Sequence, residues 1–165
     1  MGGGSGQPAV RVLICGERLR GDDAAALLAV ELLPQDARAL VEVVEVGQLS
    51  VEALLDVPDG VALVVADAAV GVAAGAVVTR PLDRVAGQAD AGGPGSPASS
   101  HSLPPDQVLA LAAELRGSMP RGVFVGIGGA QFEFGEGPSA AVAAGLATFA
   151  STLADEIRRL AANRN

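Results

Sequence analysis

The sequence has no lysine, tryptophan or tyrosine, and it has only one cysteine and one histidine. A single cysteine excludes an intramolecular disulfide and any metal site built from several thiolates. With four phenylalanines as the only aromatic residues, the chain cannot build a platform on which nucleic-acid bases stack. The absence of lysine also excludes a nucleotide-binding loop of the kind whose lysine reaches the phosphates.

Positive charge is scarce as well, with 11 basic residues against 19 acidic ones and a formal net charge of −8. Such a chain lacks the basic face that binds nucleic acid or an anionic membrane surface. No apolar run reaches the roughly 20 residues of a membrane span. Residues 1–8 are rich in glycine, lack the features of a signal peptide and predict a flexible tail. We therefore expect a cytoplasmic, monomeric protein that binds neither nucleic acid nor membranes.

Half of the 165 residues are hydrophobic, and their pattern alternates between strand-like and helix-like segments. Uniformly apolar runs indicate buried strands, and periodic runs indicate helices. The order predicts one α/β domain over residues 9–162, a three-layer sandwich whose mostly parallel, twisted sheet of five strands carries helices on both faces. The expected strands are Ala9–Cys15, Leu40–Val46, Val61–Ala66, Ala76–Thr79 and Arg121–Ile127, and the expected helices are Ala24–Leu33, Val51–Leu55, Pro104–Arg116 and Ser139–Ala162.

Two segments interrupt this alternation. Gly71–Gly75 follows the third strand and predicts a turn. Arg84–Ser102 is rich in glycine, proline, serine and alanine and has no hydrophobic period. It predicts a long loop without regular structure, which in a compact domain usually serves a function or is disordered.

Ligands bind beyond the carboxyl ends of the strands in open α/β sheets. Asp22 and Asp23 follow the first expected strand, Glu45 lies at the end of the second, and Asp67 comes directly after the third. His101, the only imidazole, ends the long loop. Two carboxylates and one imidazole without a thiolate form a hard site that suits a first-row divalent ion such as nickel or zinc.

Each of these residues also has a structural explanation. A carboxylate at Asp67, inside an apolar run, is costly unless paired, bound to metal or hydrogen-bonded by backbone N–H groups of a following turn. Either Asp22 or Asp23 can cap the helix that they begin, which leaves the other free. A lone loop histidine such as His101 is often simply solvated. Cys15 lies inside a strand, which favours a buried and unreactive thiol.

Four motifs, in order along the chain, resemble those of the nickel–iron hydrogenase maturation endopeptidases. The family's opening G-N-x-L-x-x-D-D/E is similar to GERLRGDD at 16–23, and its strand ending in D-A is similar to LVVADA at 63–68. Its S-x-H-x-L resembles SSHSL at 99–103. Its G-I…G-x-G-L-S stretch resembles residues 126–128 and 135–139.

The resemblance implies a five-stranded twisted sheet between helices and an endopeptidase activity. Such an enzyme removes the C-terminal extension of a hydrogenase large-subunit precursor after nickel insertion. Nickel carried by that precursor would be contacted by Asp23, Asp67 and His101, so the protein would need no metal of its own and no organic cofactor. The candidate catalytic carboxylates are then Asp23, Asp67, Glu45 and Asp22.

The chain departs from the family pattern at two positions near this site. Glu17 stands where the family has asparagine, and EVGQ at 45–48 replaces D-G-G-T. Either Glu45 substitutes for the family's aspartate with a longer reach, or that role is lost. The second case leaves a catalytically inactive metal-sensing or chaperone-like binding module on the same fold. A nucleotide-binding domain is disfavoured, because acidic strand ends repel phosphate.

The charge balance gives a first testable prediction. We expect negligible nucleic-acid binding at physiological salt, because no basic patch is available to displace counterions from the phosphate backbone. Titration of labelled double-stranded and single-stranded DNA, followed by fluorescence anisotropy at two salt concentrations, measures this. A salt-sensitive interaction of sub-micromolar affinity would contradict the prediction.

Overall fold

Five strands and six α-helices alternate along residues 6–90 and 103–164, which are the residues that the computed structural model describes. The strands are β1 (Val10–Cys15), β2 (Val41–Gly47), β3 (Ala62–Ala74), β4 (Val77–Pro81) and β5 (Gly122–Gly128). The helices are α1 (Ala25–Glu31), α2 (Gln35–Arg38), α3 (Val51–Leu55), α4 (Leu82–Gly87), α5 (Pro105–Arg116) and α6 (Ala140–Ala162). Short 3-10 turns cover Gly21–Ala24 and Gln88–Asp90.

The strands form one sheet in the order β2-β1-β3-β5-β4. β1 pairs in parallel with both β2 and β3, and β3 pairs in parallel with β5. β4 is antiparallel to β5. The expected mostly parallel sheet is therefore confirmed, and four strands point their carboxyl ends toward the same edge.

Each face of the sheet has its own hydrophobic core, because successive side chains of a strand point to opposite faces. On one face Val12, Val64 and Val125 pack with residues of α1 and α6, including the fully buried Phe149. On the other face Leu63 packs with residues of α3, α4 and α5. The structure thus confirms the three-layer sandwich.

The end of the third strand was predicted wrongly. β3 continues through Ala74 instead of ending at Ala66, and Asp67 lies inside it, opposite Gly126. Backbone pairing with β5 does not depend on side-chain polarity, so a carboxylate does not end the ladder. Ala69 and Ala74 both pair with Gly128, so residues 70–73 form a bulge within the strand. The predicted turn is reduced to the connection at Gly75.

The start of the long loop was also predicted wrongly. Leu82–Gly87 is helix α4, whose Leu82 and Val85 are buried against the α5 side of the sheet. Arg84 is therefore helical, because two apolar residues three positions apart are enough to anchor a short helix. The short helix α2 was not predicted. Residues 91–102 of the predicted loop, His101 among them, lie outside the described residues, as do residues 1–5 of the predicted tail.

Helix α6 has the length and composition of a membrane span, which the search for apolar runs overlooked. Its 23 residues include a window of mean hydropathy 1.2. Phe149, Leu153, Ile157 and Leu160 on this helix are buried against the sheet. One face of α6 therefore belongs to the hydrophobic core of the domain.

Close contact between α6 and the β3–β4 connection depends on two glycines. Gly75 has a positive φ of 80°. A Cβ added to Gly145 would lie 2.5 Å from the Gly75 carbonyl oxygen and 3.0 Å from Cδ1 of Ile127. Glycine at position 145 thus lets the helix approach the sheet.

This contact reverses the usual effect of replacing a helical glycine. Helix propensity alone predicts that Gly145→Ala raises the free energy of unfolding by about 1 kcal/mol. We expect a decrease of about 1–3 kcal/mol instead, because the methyl group pushes α6 away from Gly75. Gly87→Ala in α4 is the matched control, since a Cβ there meets nothing within 4 Å. Urea unfolding measures both variants, and stabilisation by Gly145→Ala would refute the packing argument.

Candidate active site

The turn after β1 carries the first carboxylate of the site. Gly16 has a φ of 116°, and a Cβ there would collide with the backbone carbonyl of Asp23. The chain can therefore fold back on itself only with glycine at this position. The Glu17 N–H then donates a hydrogen bond of 2.9 Å to Oδ2 of Asp23. This fold-back holds Asp23 at the carboxyl end of β1.

The second carboxylate, Asp67, lies on the neighbouring strand. Ile14 pairs with Ala66, so the next residues along the two strands are Cys15 and Asp67. By alternation both side chains face the α3–α5 side of the sheet. The Ala68 N–H donates to Oδ1 of Asp67 at 2.8 Å. The expected backbone hydrogen bond to this carboxylate is present, although it comes from the strand itself and not from a turn.

Burial makes negative charge unfavourable at this point of the molecule. It raises the pKa of Asp67 from 3.8 to about 7, and the negative charge of Asp23 adds to the effect. Burial also raises the pKa of Asp23, against the opposing hydrogen bond from Glu17. Burial, followed by the charges of Asp67 and Asp23, raises the pKa of the Cys15 thiol far above its usual value. The structure confirms that Cys15 is buried, and it stays a thiol at neutral pH.

Asp22 points the other way, into the protein, and is fully buried. Burial acts to raise its pKa, but N–H groups of Ala130, Ser139 and Gln131 and the Ser139 hydroxyl donate to it and hold the pKa below its usual range. The expectation that Asp22 or Asp23 caps the helix that they begin was wrong. Neither the 3-10 turn nor α1 has a side-chain cap. Asp22 instead meets the N-terminus of α6, to which Ser139 belongs as the capping residue.

Glu45 is exposed on the edge strand β2 and is held by an arginine. Arg18 forms ion pairs with Glu45 at 3.1 Å and with Glu31 at 2.9 Å. All three side chains are more than half exposed, so these pairs contribute little to stability. They orient the Glu45 carboxylate toward Arg18.

An open groove of about 430 Å³ lies beside the Asp23 turn. Its lining includes the apolar side chains of Leu19 and Phe134 and the charged side chains of Glu17, Arg18 and Glu45. Leu19 is 66% exposed and Phe134 is 74% exposed. Asp23 and Asp67 do not line the groove, but the lining residue Glu17 is hydrogen-bonded to the Asp23 carboxylate. Its remaining lining residues are Leu27 and Gly47.

Solved structures with a similar arrangement of strands and helices include hydrogenase maturation endopeptidases. The hydrogenase maturating endopeptidase HybD from E. coli is 22% identical, with a TM-score of 0.69 over 91% of this chain and 93% of that chain. The chain has the fold of the hydrogenase maturation endopeptidases.

Two archaeal proteins with the same fold come from Thermococcus kodakarensis. Its hydrogenase maturation protease HybD is 23% identical, with a TM-score of 0.62 over 92% of this chain and 99% of that chain. Its maturation protease HycI is 24% identical, with a TM-score of 0.58 over 93% and 95%. No protein-family model matches the sequence, and no curated protein matches it.

On this maturation-endopeptidase fold, the structure brings two of the predicted site residues together, Asp23 and Asp67. Asp22 is adjacent in the chain but turned inward, and Glu45 is held apart by Arg18. Within residues 6–90 and 103–164, no three histidine, cysteine, aspartate or glutamate side chains are arranged to hold a metal ion. The predicted three-residue metal cluster needs His101, which is not described, and it stays a prediction.

Sequence reasoning missed the groove and the role of Arg18. A signal for the groove was present in Phe134, one of only four aromatic residues, which is flanked by Glu133 and Gly135 in a loop without hydrophobic period. An aromatic residue in such a polar, glycine-rich setting is out of place unless it meets a partner. The contact between Arg18 and Glu45 joins two segments far apart in sequence and left no local signal.

The raised pKa of Asp67 predicts how stability depends on pH. Between pH 3.8 and about 7 the folded state binds more protons than the unfolded state, so the free energy of unfolding falls as pH rises through this range. The Asp67→Asn variant stays neutral and should lose this slope. The free energy of unfolding of this variant should exceed that of the wild type by at most about 4 kcal/mol at pH 8 and should equal it near pH 4.

Urea unfolding at several pH values measures this difference. The lowered pKa of Asp22 acts in the opposite direction and below pH 3.8, and it is common to both proteins. Glu114→Gln, at an exposed carboxylate on α5, is the control and should leave the slope unchanged. If the free energy of unfolding depends on pH in the same way for the wild type and Asp67→Asn between pH 4 and pH 8, the pKa of Asp67 is not raised and the prediction is wrong.

Proposed function

We propose that this protein is an endopeptidase that removes the C-terminal extension of a nickel–iron hydrogenase large-subunit precursor once nickel has been inserted. The observation that carries the proposal is the convergence of Asp23 and Asp67. Both are carboxyls with raised pKa values at the carboxyl edge of the sheet, where the charge of Asp23 adds to the raised pKa of Asp67, and the sheet has the fold of the hydrogenase maturation endopeptidases. The sequence motifs that resemble this family include both residues.

The nickel belongs to the substrate in this proposal. Thiolates of the precursor hold it, and Asp23, Asp67 and His101 contact it from the protease side. A divalent cation beside the two carboxylates lowers the pKa of each, which relieves the cost of holding both charges. A precursor without nickel offers no such relief, so binding in the productive position reports that insertion is complete.

Asp67 is the carboxyl best suited to proton transfer. In the free protein its pKa of about 7 lets Asp67 carry a proton near neutral pH, and it can give that proton to water or to the leaving amine as the cation lowers its pKa. Asp22 already accepts hydrogen bonds at both oxygens, and Glu45 must first release Arg18. Since the site has no accessible thiol, positioning of the peptide and of a water molecule supplies much of the rate.

The groove is the place for the polypeptide on either side of the cleaved bond. Its two exposed apolar side chains, Leu19 and Phe134, lie on loops whose backbones are hydrogen-bonded to each other. Two exposed apolar side chains that line one groove offer apolar surface on which a bound polypeptide can pack. Glu17 links this groove to Asp23, so a segment lying in it passes close to the carboxylates.

A second candidate function is a catalytically inactive metal-sensing or chaperone-like binding module. The observation that favours it is Glu45, which departs from the family motif and is paired with Arg18 outside the Asp23–Asp67 pair. In that case the protein would recognise the nickel-bearing precursor without cutting it. The two functions share a site and differ only in the reaction.

Cleavage assays with two forms of the precursor test the proposal. We expect metal-stripped protein to cut nickel-loaded precursor and to leave nickel-free precursor intact, because the precursor supplies the ion. Asp23→Ala and Asp67→Ala should each slow cleavage by at least about a hundredfold. His101→Ala should also reduce cleavage severely. The measurement is the mobility shift of the precursor on a denaturing gel.

Asp83→Ala is the matched control for these variants. This exposed aspartate begins α4, which follows the antiparallel strand β4 and therefore lies at the opposite edge of the sheet. It should leave cleavage unchanged. Equal cutting of both precursor forms would reject nickel as part of the substrate. Binding of nickel-loaded precursor without any cutting would favour the inactive module.

A further inference from the structure

Two segments far apart in sequence are joined beside the groove, the turn at 16–23 and the loop at 129–139. The Asp22 N–H donates to the Gln131 carbonyl at 2.7 Å, and the Gly21 N–H donates to the Glu136 carbonyl at 3.0 Å. The Gly135 N–H donates to the Leu19 carbonyl at 2.8 Å. These backbone bonds run in both directions, so the turn and the loop support each other.

The Asp22 carboxylate is the centre of this junction. Its Oδ2 accepts from the N–H groups of Ala130 and Gln131 at 2.8 and 2.9 Å and from the Ser139 hydroxyl at 3.0 Å. Its Oδ1 accepts from the Ser139 N–H at 2.6 Å. Asp22 is the one fully buried charged side chain within the described residues. Because an unpaired buried carboxylate is very costly, these donors cannot move away from it independently.

The loop that Asp22 holds carries one wall of the groove. Phe134 lies midway between the two anchored ends, Ala130–Gln131 and Ser139. Its ring is largely exposed, so little contact with the protein core keeps it in place. The position of the ring therefore depends on the backbone of the loop, and through the loop on Asp22.

We propose that Asp22 is a positioning residue whose carboxylate fixes the 129–139 loop as a wall of the groove and so determines how tightly the precursor binds. This inference rests on the proposed function, because the precursor is the molecule that occupies the groove. Asp22 acts through Phe134 and does not touch the reacting atoms. Asp23 has its own support from Gly16 and Glu17, which a change at Asp22 leaves in place.

Asp22→Asn is the informative variant because it keeps the size of the side chain. One carboxylate oxygen becomes an amide group that can only donate, and it faces groups that are themselves donors. At least one bond to the loop is lost, and the loop is pushed outward. The backbone bonds between the turn and the loop remain.

Two measurements follow from this geometry. Amide exchange of Ala130, Gln131 and Ser139 should be about tenfold faster or more in Asp22→Asn, with α6 and the sheet unchanged. The KM for nickel-loaded precursor should rise about tenfold, while kcat changes by less than about threefold. If Asp22 only stabilised the fold, Asp22→Asn would speed amide exchange without a selective increase in KM.

A double variant tests whether the effect passes through Phe134. Phe134→Ala alone should also raise KM, because it removes the wall. In that background, Asp22→Asn should raise KM by less than about twofold further, since residues that act through one element are not additive. Asp83→Asn is the control and should change neither exchange at these positions nor KM.

The outcomes separate this inference from the proposed function. Normal cutting by the wild type with an unchanged KM in Asp22→Asn would overturn the inference alone. Full additivity of Asp22→Asn and Phe134→Ala would overturn it too. A wild-type protein that neither binds nor cuts the precursor would overturn the proposed function and, with it, the claim about precursor binding.

Ser139→Ala serves where Asp22→Asn fails to fold. It removes only the hydroxyl donor to Asp22 and the cap of α6, and it leaves three N–H donors on the carboxylate. We expect faster amide exchange and a higher KM, both smaller effects than in Asp22→Asn, with KM raised about threefold. An unchanged KM in this variant, with faster exchange at Gln131, would overturn the inference.

Discussion

A carboxyl group inside an apolar sheet is the constraint around which this edge of the molecule is built. Asp67 lies within β3, and the side chains next to it on its own strand and opposite it on β5 are small, Ala66, Ala68 and Gly126. One backbone N–H is the only hydrogen bond to its side chain that the described residues supply. A negative charge on Asp67 is therefore unfavourable, and binding of a proton or a cation stabilises the site.

The groups around Asp67 make a negative charge at this position still less favourable. Asp23 adds a second negative charge, and the nearby Cys15 thiol is kept protonated by the same burial. No arginine forms an ion pair with Asp23 or Asp67 in the described residues, although Arg18 pairs with Glu45 and Glu31 close by. A structural carboxylate is normally paired or saturated with hydrogen bonds, as Asp22 is. Asp67 has one such hydrogen bond and no ion pair in the described residues, and this incomplete satisfaction is the feature on which the proposed binding of a nickel-bearing precursor depends.

Much of the fold could be predicted from local sequence. The apolar runs of β1 and β5 and the Ser50 and Ser139 caps of α3 and α6 carry their own signals, and these elements lie within two residues of the prediction. The extension of β3 could not be predicted, because it depends on pairing with a strand that comes more than fifty residues later. Asp23 and Asp67 could be predicted as candidate site residues because both follow apolar runs at the carboxyl edge.

The part of the site that local sequence could not reveal is the different environment of two adjacent aspartates. In a tight 3-10 turn, neighbouring side chains project in different directions. Asp23 turns toward the backbone N–H of Glu17, whereas Asp22 turns inward to donors 108 to 117 positions later in the chain. The same residue type therefore has its pKa raised at one position and lowered at the next. Hydrogen-bond donors explain this contrast, since burial acts to raise both pKa values and only Asp22 has enough donors to reverse it. A turn of two aspartates can thus place a hydrogen-bonded structural carboxylate next to one whose ionisation is unfavourable.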